Sequence, residues 1–97
     1  MIEKRAEKPL IWKTQNKKIE VEDLKELFDV LINIKQEEID KEIKENLNAL
    51  IYWLEENFPK QMGLIQHLKI ESKEYTPQQI RERVIQDLRV FLKNKKL

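Results

Sequence analysis

Asp23-Leu24-Lys25-Glu26-Leu27-Phe28-Asp29-Val30-Leu31-Ile32-Asn33-Ile34 decides the fold class of this chain. The stretch opens with a start signal. An Asp before an apolar run accepts from the backbone amides of a first helical turn, and Glu26, three residues on, can reach back, as in a capping box. Leu24, Leu27, Phe28, Leu31 and Ile34 then recur at steps of three and four, the spacing of one helix face. Val30 and Ile32 widen the stripe, which predicts a helix buried over more than one face.

C-terminal to this helix the same period continues. Ile39, Ile43, Leu47, Leu50 and Leu54 form an apolar seam within a helical region over 36–57. Ile51, Tyr52 and Trp53 make its second half apolar nearly all round, which predicts burial in a core or an interface. Asn46 and Asn48 are candidate break points, Asn48 as the cap of a second helix, and Pro59 prevents easy continuation. A short helix over 60–69 offers Met62, Ile65 and Leu68 at steps of three, flanked by Leu64, with Gly63 marking close packing against another helix. Residues 70–75 read as a loop or short strand. Thr76, Pro77 and Gln79 then open a last helix with a second capping box and a proline at its first position. Its inner face is Ile80, Val84, Leu88, Phe91 and Leu92.

N-terminal to the deciding stretch, Pro9 to Thr14 is short, apolar, β-branched and aromatic, and reads as a strand. Ile19-Glu20-Val21 returns as a second. A lone two-stranded hairpin is marginal, so it must lean on the helices, with Trp12 as its anchor. Residues 1–8 are charged and unpatterned, a loose arm. The expected architecture is mainly α: a single compact domain, 9–97, of four helical segments with a small N-terminal β-hairpin.

Composition narrows the function. Ninety-seven residues fit one domain, which buries roughly two thirds of its unfolded surface. Cysteine is absent, so neither disulfides nor thiolate metal sites arise. A secretory signal is not expected, and no apolar stretch approaches the ~18 residues of a membrane span. A cytoplasmic protein is the expectation, with no membrane partner. The net charge of +1 is unevenly spread. Residues 1–19 carry six bases and two acids, residues 20–58 four bases and twelve acids, and residues 59–97 nine bases and four acids. That basic–acidic–basic layout reads first as helix faces solvated by charge, and second as a basic patch for an anionic partner.

Catalytic chemistry has few candidates. His67 is the single histidine, with no nucleophile or carboxylate beside it in sequence, and one glycine cannot build a phosphate loop. Glu37, Glu38, Asp40, Glu42 and Glu45 crowd the second helix with Lys35, Lys41 and Lys44 among them, the composition of a solvated face. An enzyme would need His67 and an acid such as Glu71 in one cleft. No catalytic residue, cofactor, metal or small-molecule substrate is therefore expected.

Interaction chemistry has more. Trp12, Phe28, Trp53, Phe58 and Phe91 all sit on apolar faces, so core packing is their first explanation; left uncovered, Tyr52, Trp53 and Phe58 form a candidate partner or self-association surface, since such aromatics anchor interfaces. Arg83, Arg89, Lys93, Lys95 and Lys96, with Arg81, place six bases on or just past the last helix, a candidate anion-binding stripe. Its dilution by Glu82 and Asp87, and a pI near 7.9, rank nucleic-acid binding below a protein-interaction role.

The order of these residues resembles a family of small, functionally uncharacterised, mostly archaeal prokaryotic domains. Their pattern runs roughly G-x-x-I-x-[NS]-L-x-E-L, a helix with F-x-x-H, N-D-F-x-x-W-[IL], an L-A pair, and a last helix opening [ST]-x-x-x-[IL]-R. Val21, Asp23, Leu24, Glu26 and Leu27 match the first element, and Ile39 stands for the Phe. Asn48, Leu50, Trp53 and Leu54 answer the third, Met62-Gly63 the fourth, and Thr76, Ile80 and Arg81 the fifth. The likeness spans about residues 10–92. Lys18, Glu42 and Ala49 replace the pattern's Gly, His and Asp. The resemblance implies a compact helical fold and no activity.

Overall fold

In the computed structural model, residues 7–71 and 73–95 are described, without the side chains of Glu71, Asn94 and Lys95. Two antiparallel strands, β1 (Leu10–Lys13) and β2 (Lys18–Val21), precede four helices: α1 (Leu24–Ile32), α2 (Ile39–Asn57), α3 (Met62–Glu71) and α4 (Pro77–Lys95). A single 3-10 turn, Gln36–Glu38, leads into α2. The hairpin register pairs Leu10 with Val21 and Trp12 with Ile19. The expected mainly α domain with an N-terminal hairpin is what forms.

Both predicted caps close. Asp23 Oδ1 accepts from the Glu26 amide at 2.8 Å. Glu26 Oε1 reaches one residue further back than a standard box, to the Glu22 amide at 2.7 Å. Thr76 and Gln79 satisfy each other's amides reciprocally, at 3.2 and 3.0 Å. The far end of α1 is closed across fifty residues, where Arg81 Nε donates to the Leu31 carbonyl at 2.7 Å.

The core gathers alternate residues of the hairpin (Leu10, Trp12, Val21) and the inner faces of all four helices. Trp12 is fully buried, as an anchor must be. The helix α4 lies against both α1 and α2, burying Ile80, Val84, Ile85 and Leu88. The radius of gyration, 12.7 Å, matches the ~13 Å of a compact domain of this length.

Several expectations are corrected. The stripe of α1 is widened by Val30, partly buried against the core beside Leu24, Leu27 and Leu31, but not by Ile32, which is 42% exposed. The α2 helix runs unbroken through Asn46 and Asn48, because the Asn46 amide is spent on β1 while Asn48 faces solvent. Nor is its second half apolar all round, since Tyr52 is 65% exposed. The turn after Phe58, closed by the Gln61 amide on the Phe58 carbonyl, starts α3 at Met62 and carries it to Glu71, through Ile70. Leu64, Ile65 and Leu68 face inward and Met62 outward, so the true period is 3.6 rather than three. Gly63 has open space where a Cβ would stand, so it marks no close packing.

Candidate interaction surface

The α2 helix positions everything that follows. Its buried face is not only apolar: Glu42, Asn46 and Asn57 lie in it with Leu50 and Trp53. These positions, at steps of four, four, three and four, form one stripe, and the segment from Glu7 to Lys13, bent at Glu7 and Lys8 and extended from Leu10, runs antiparallel along it. Trp12 Nε1 donates to Glu42 Oε1 at 3.0 Å. The Asn46 amide grips one residue at both main-chain groups, accepting from Lys13 N at 2.8 Å and donating to Lys13 O at 2.9 Å. Its second hydrogen goes to the Glu42 carbonyl at 2.8 Å. Further along, Trp53 Nε1 donates to the Lys8 carbonyl at 2.9 Å, and Asn57 Oδ1 accepts from the Glu7 amide at 3.1 Å. The helix thus supplies with side chains what a third strand would supply with its backbone. The arm expected to be loose through residue 8 is fastened at Glu7 and Lys8; residues 1–6 lie outside the described residues.

Glu42 is the one acid of its cluster taken out of water, 6% exposed, which corrects the reading of that cluster as wholly solvated. Burial pushes its carboxyl above 4.5; the bond from Trp12 pulls it down, while a hydrogen bond with Glu38 and the charges of Glu38 and Glu45 push it up. It faces a cleft of about 460 Å³ between the hairpin turn and the end of α1, shared with Asp29, Lys17 and Lys35.

Of the three aromatics offered as partner surface, only Tyr52 is exposed. Trp53 and Phe58 are 4% and 7% exposed and meet edge to face at 5.2 Å, each filling core. Trp53 is covered by the strap at Lys8, which sequence reading left loose. Tyr52 stands on a groove of about 590 Å³ between α2 and the segment from Glu7 to Lys13, with Pro9, Ile11 and Ala49 on its walls and Lys8 and Glu56 among its charges. The Glu56 carboxylate beside its hydroxyl raises the phenol above its usual range.

The basic residues of α4 do not form one stripe. Arg81 is spent on α1. Arg83 lies over the Tyr75 ring at 5.6 Å and Arg89 over the Phe28 ring at 5.9 Å. Six residues apart, those two point about 120° from each other around the helix. Lys93 is exposed and follows Arg89 by one turn; the Lys95 side chain and Lys96 lie outside the described residues. His67 Nδ1 is 3.4 Å from Asp87 Oδ2, both half-exposed, so the acid it meets is on α4; the Glu71 side chain is not described. Among the described residues no three His, Asp or Glu side chains converge as metal ligands, and no helix is long and apolar enough to cross a membrane.

The polar stripe of α2 is what sequence reading missed. Its signal is the spacing of Glu42, Asn46, Trp53 and Asn57 on one helix face beside an apolar seam. Comparison with known proteins found no matching family model, no matching curated protein and no matching solved structure.

Proposed function

We propose that the chain is a non-catalytic protein-interaction module whose partner surface is the Tyr52 groove. The observation that carries this is the exposure of Tyr52, 65%, on a concave surface with apolar walls and charged edges. Large aromatics on such surfaces supply contact area at low entropic cost and dominate binding when covered. Ile11, 39% exposed beside it, extends the apolar contact. A cytoplasmic location and kinship with the prokaryotic helical domains above belong to the same proposal.

The test pairs light scattering over a concentration series with affinity purification from the source cells, using the wild type and Tyr52→Ala as matched baits. The reading expects self-association or a retained protein that the variant loses. A strict monomer that retains no protein ends it.

A second reading, binding of RNA or DNA through α4, is favoured by Arg83 on Tyr75, a cation and an aromatic face side by side. It expects salt-sensitive retention on heparin that falls when Arg83, Arg89 and Lys93 are all changed to Ala. No retention at low salt removes it.

A further inference from the structure

The hairpin register leaves one main-chain pair of β1 facing the Tyr52 groove. In an antiparallel ladder, residues alternate between pairs bonded across the strands and pairs whose N–H and C=O point the other way. Thr14 N donates to the Lys17 carbonyl at 2.8 Å, so that pair is a bonded one. Two residues on, Trp12 and Ile19 are bonded in turn. Lys13 and Ile11, opposite Lys18 and Glu20, therefore aim their N–H and C=O toward α2. Asn46 takes both groups of Lys13, and Trp53 takes the Lys8 carbonyl. Between those two points Pro9 has no N–H to offer, whereas Ile11 offers both groups. Among the described residues nothing outside the ladder bonds to either. The α2 residues lining the groove there are Ala49 and Tyr52. Ala49 ends in a methyl, and the Tyr52 hydroxyl lies beside Glu56.

Asn46 shows what fits such a pair. Its planar carboxamide carries an acceptor and a donor side by side and engages the N–H and C=O of one extended residue, at 2.8 and 2.9 Å. Ile11 presents the same two groups on the same edge, two residues away. A carboxylate lacks the donor, and an ammonium or guanidinium lacks the acceptor. The charged residues of the groove, Lys8, Lys13 and Glu56, are mixed in sign and favour a neutral group. An added strand finds no room, because Asn46 and Trp53 occupy the edge on either side, about 10 Å apart along the helix. What reaches Ile11 comes on the end of a side chain.

From this we infer that the groove receives the carboxamide of an asparagine or glutamine side chain from the partner protein, bonded to the Ile11 N–H and C=O as Asn46 is bonded to Lys13. Ala49 and Tyr52 border it. The inference rests on the interaction-module reading and specifies what the partner inserts.

The test selects random peptides displayed on phage against the full chain. The enriched peptides should share Asn or Gln at one aligned position, and the matching Asp or Glu peptide should bind roughly tenfold more weakly. Ile11→Pro deletes the N–H that faces the groove and spares the ladder, as edge strands tolerate proline at such positions. Ile11→Ala removes the same side chain and keeps the N–H. The selected peptide should bind Ile11→Pro roughly tenfold more weakly than Ile11→Ala, with equal helix content by circular dichroism. Ala49→Leu, exposed on α2, fills the groove without touching the core and should lose the peptide too; it decides the matter if Ile11→Pro does not fold. The inference is overturned if no peptide is enriched, if the enriched ones share no Asn or Gln, or if both Ile11→Pro and Ala49→Leu bind as Ile11→Ala does. In any of these cases a Tyr52-dependent protein in the affinity experiment leaves the module reading standing with a different contact.

Discussion

Asn46 concentrates more structure than any other polar residue here. Its amide makes three bonds, two that tie β1 to α2 and one to the Glu42 carbonyl of its own helix, which continues through it. Asn46→Ala leaves the Lys13 amide and carbonyl without their partner and should cost about 2–4 kcal/mol in urea unfolding. Asn46→Asp, nearly the same shape, should be at least as damaging at neutral pH. It sets a carboxylate against the Lys13 and Glu42 carbonyls beside an existing buried acid, and part of its loss should return on acidification. Glu42 supplies the pH dependence. Its folded pKa is raised above 4.5, chiefly by burial, so the stability tied to its neutral form is complete below 4.5 and lost as pH rises through the folded value. Glu42→Gln keeps an acceptor for Trp12 without the charge. It should be more stable than wild type at pH 7 by an amount on the order of 1 kcal/mol, and the gain should vanish below about pH 4.5. A gain of equal size at pH 4 and pH 8, read from urea midpoints, would show that charge burial is not its cause. The sequence showed these residues as helix breakers and surface acids because residue type reports a local preference. What decides their role is a strand thirty residues away.

Helix starts were readable for the opposite reason. A capping box is complete within four residues, so Asp23-x-x-Glu26 and Thr76-x-x-Gln79 carry their own geometry. Asp23→Ala should cost about 1 kcal/mol in thermal or urea unfolding. The end of α1 is only partly local: Asn33 caps it through its amide on the Val30 carbonyl and its side chain on the Asp29 carbonyl, while the Leu31 carbonyl is taken by Arg81, fifty positions on. Apolar period gave the inner faces of α1, α2 and α4 but misjudged α3, where Met62 and Leu64 lie on nearly opposite sides within one turn and only the packing against α2 and α4 selects the Leu64 side. Gly63, exposed at the start of α3 with nothing near its missing Cβ, gives a test of that correction. Gly63→Ala should raise stability by up to ~1 kcal/mol through helix propensity, whereas a tightly packed glycine would lose stability on the same change.

Seen whole, the molecule is a small helical core with one bonded strap and one exposed aromatic. Leu88, 1% exposed on the face of α4 that α1 and α2 share, is a keystone. Leu88→Ala should lower stability by about 2–5 kcal/mol, while Tyr52→Ala should leave the unfolding midpoint nearly unchanged and abolish association. The candidate surface was half readable. Aromatic residues at 52, 53 and 58 mark the C-terminal end of α2, but which of them face water depends on the strap over Trp53 and the turn that folds Phe58 inward. The clasp between the first residues and α2 also sets the order of birth. A ribosome releases the hairpin first, yet a hairpin of four-residue strands is not stable alone. Among the described residues, the α2 side chains that tether it, from Glu42 to Asn57, are all synthesised later. Trp12 therefore spends the time needed to translate some forty more residues, plus the tunnel's length, in contact with water or a chaperone. Elongation pauses placed before residue 57 has cleared the tunnel would lengthen that interval, whereas later pauses would not.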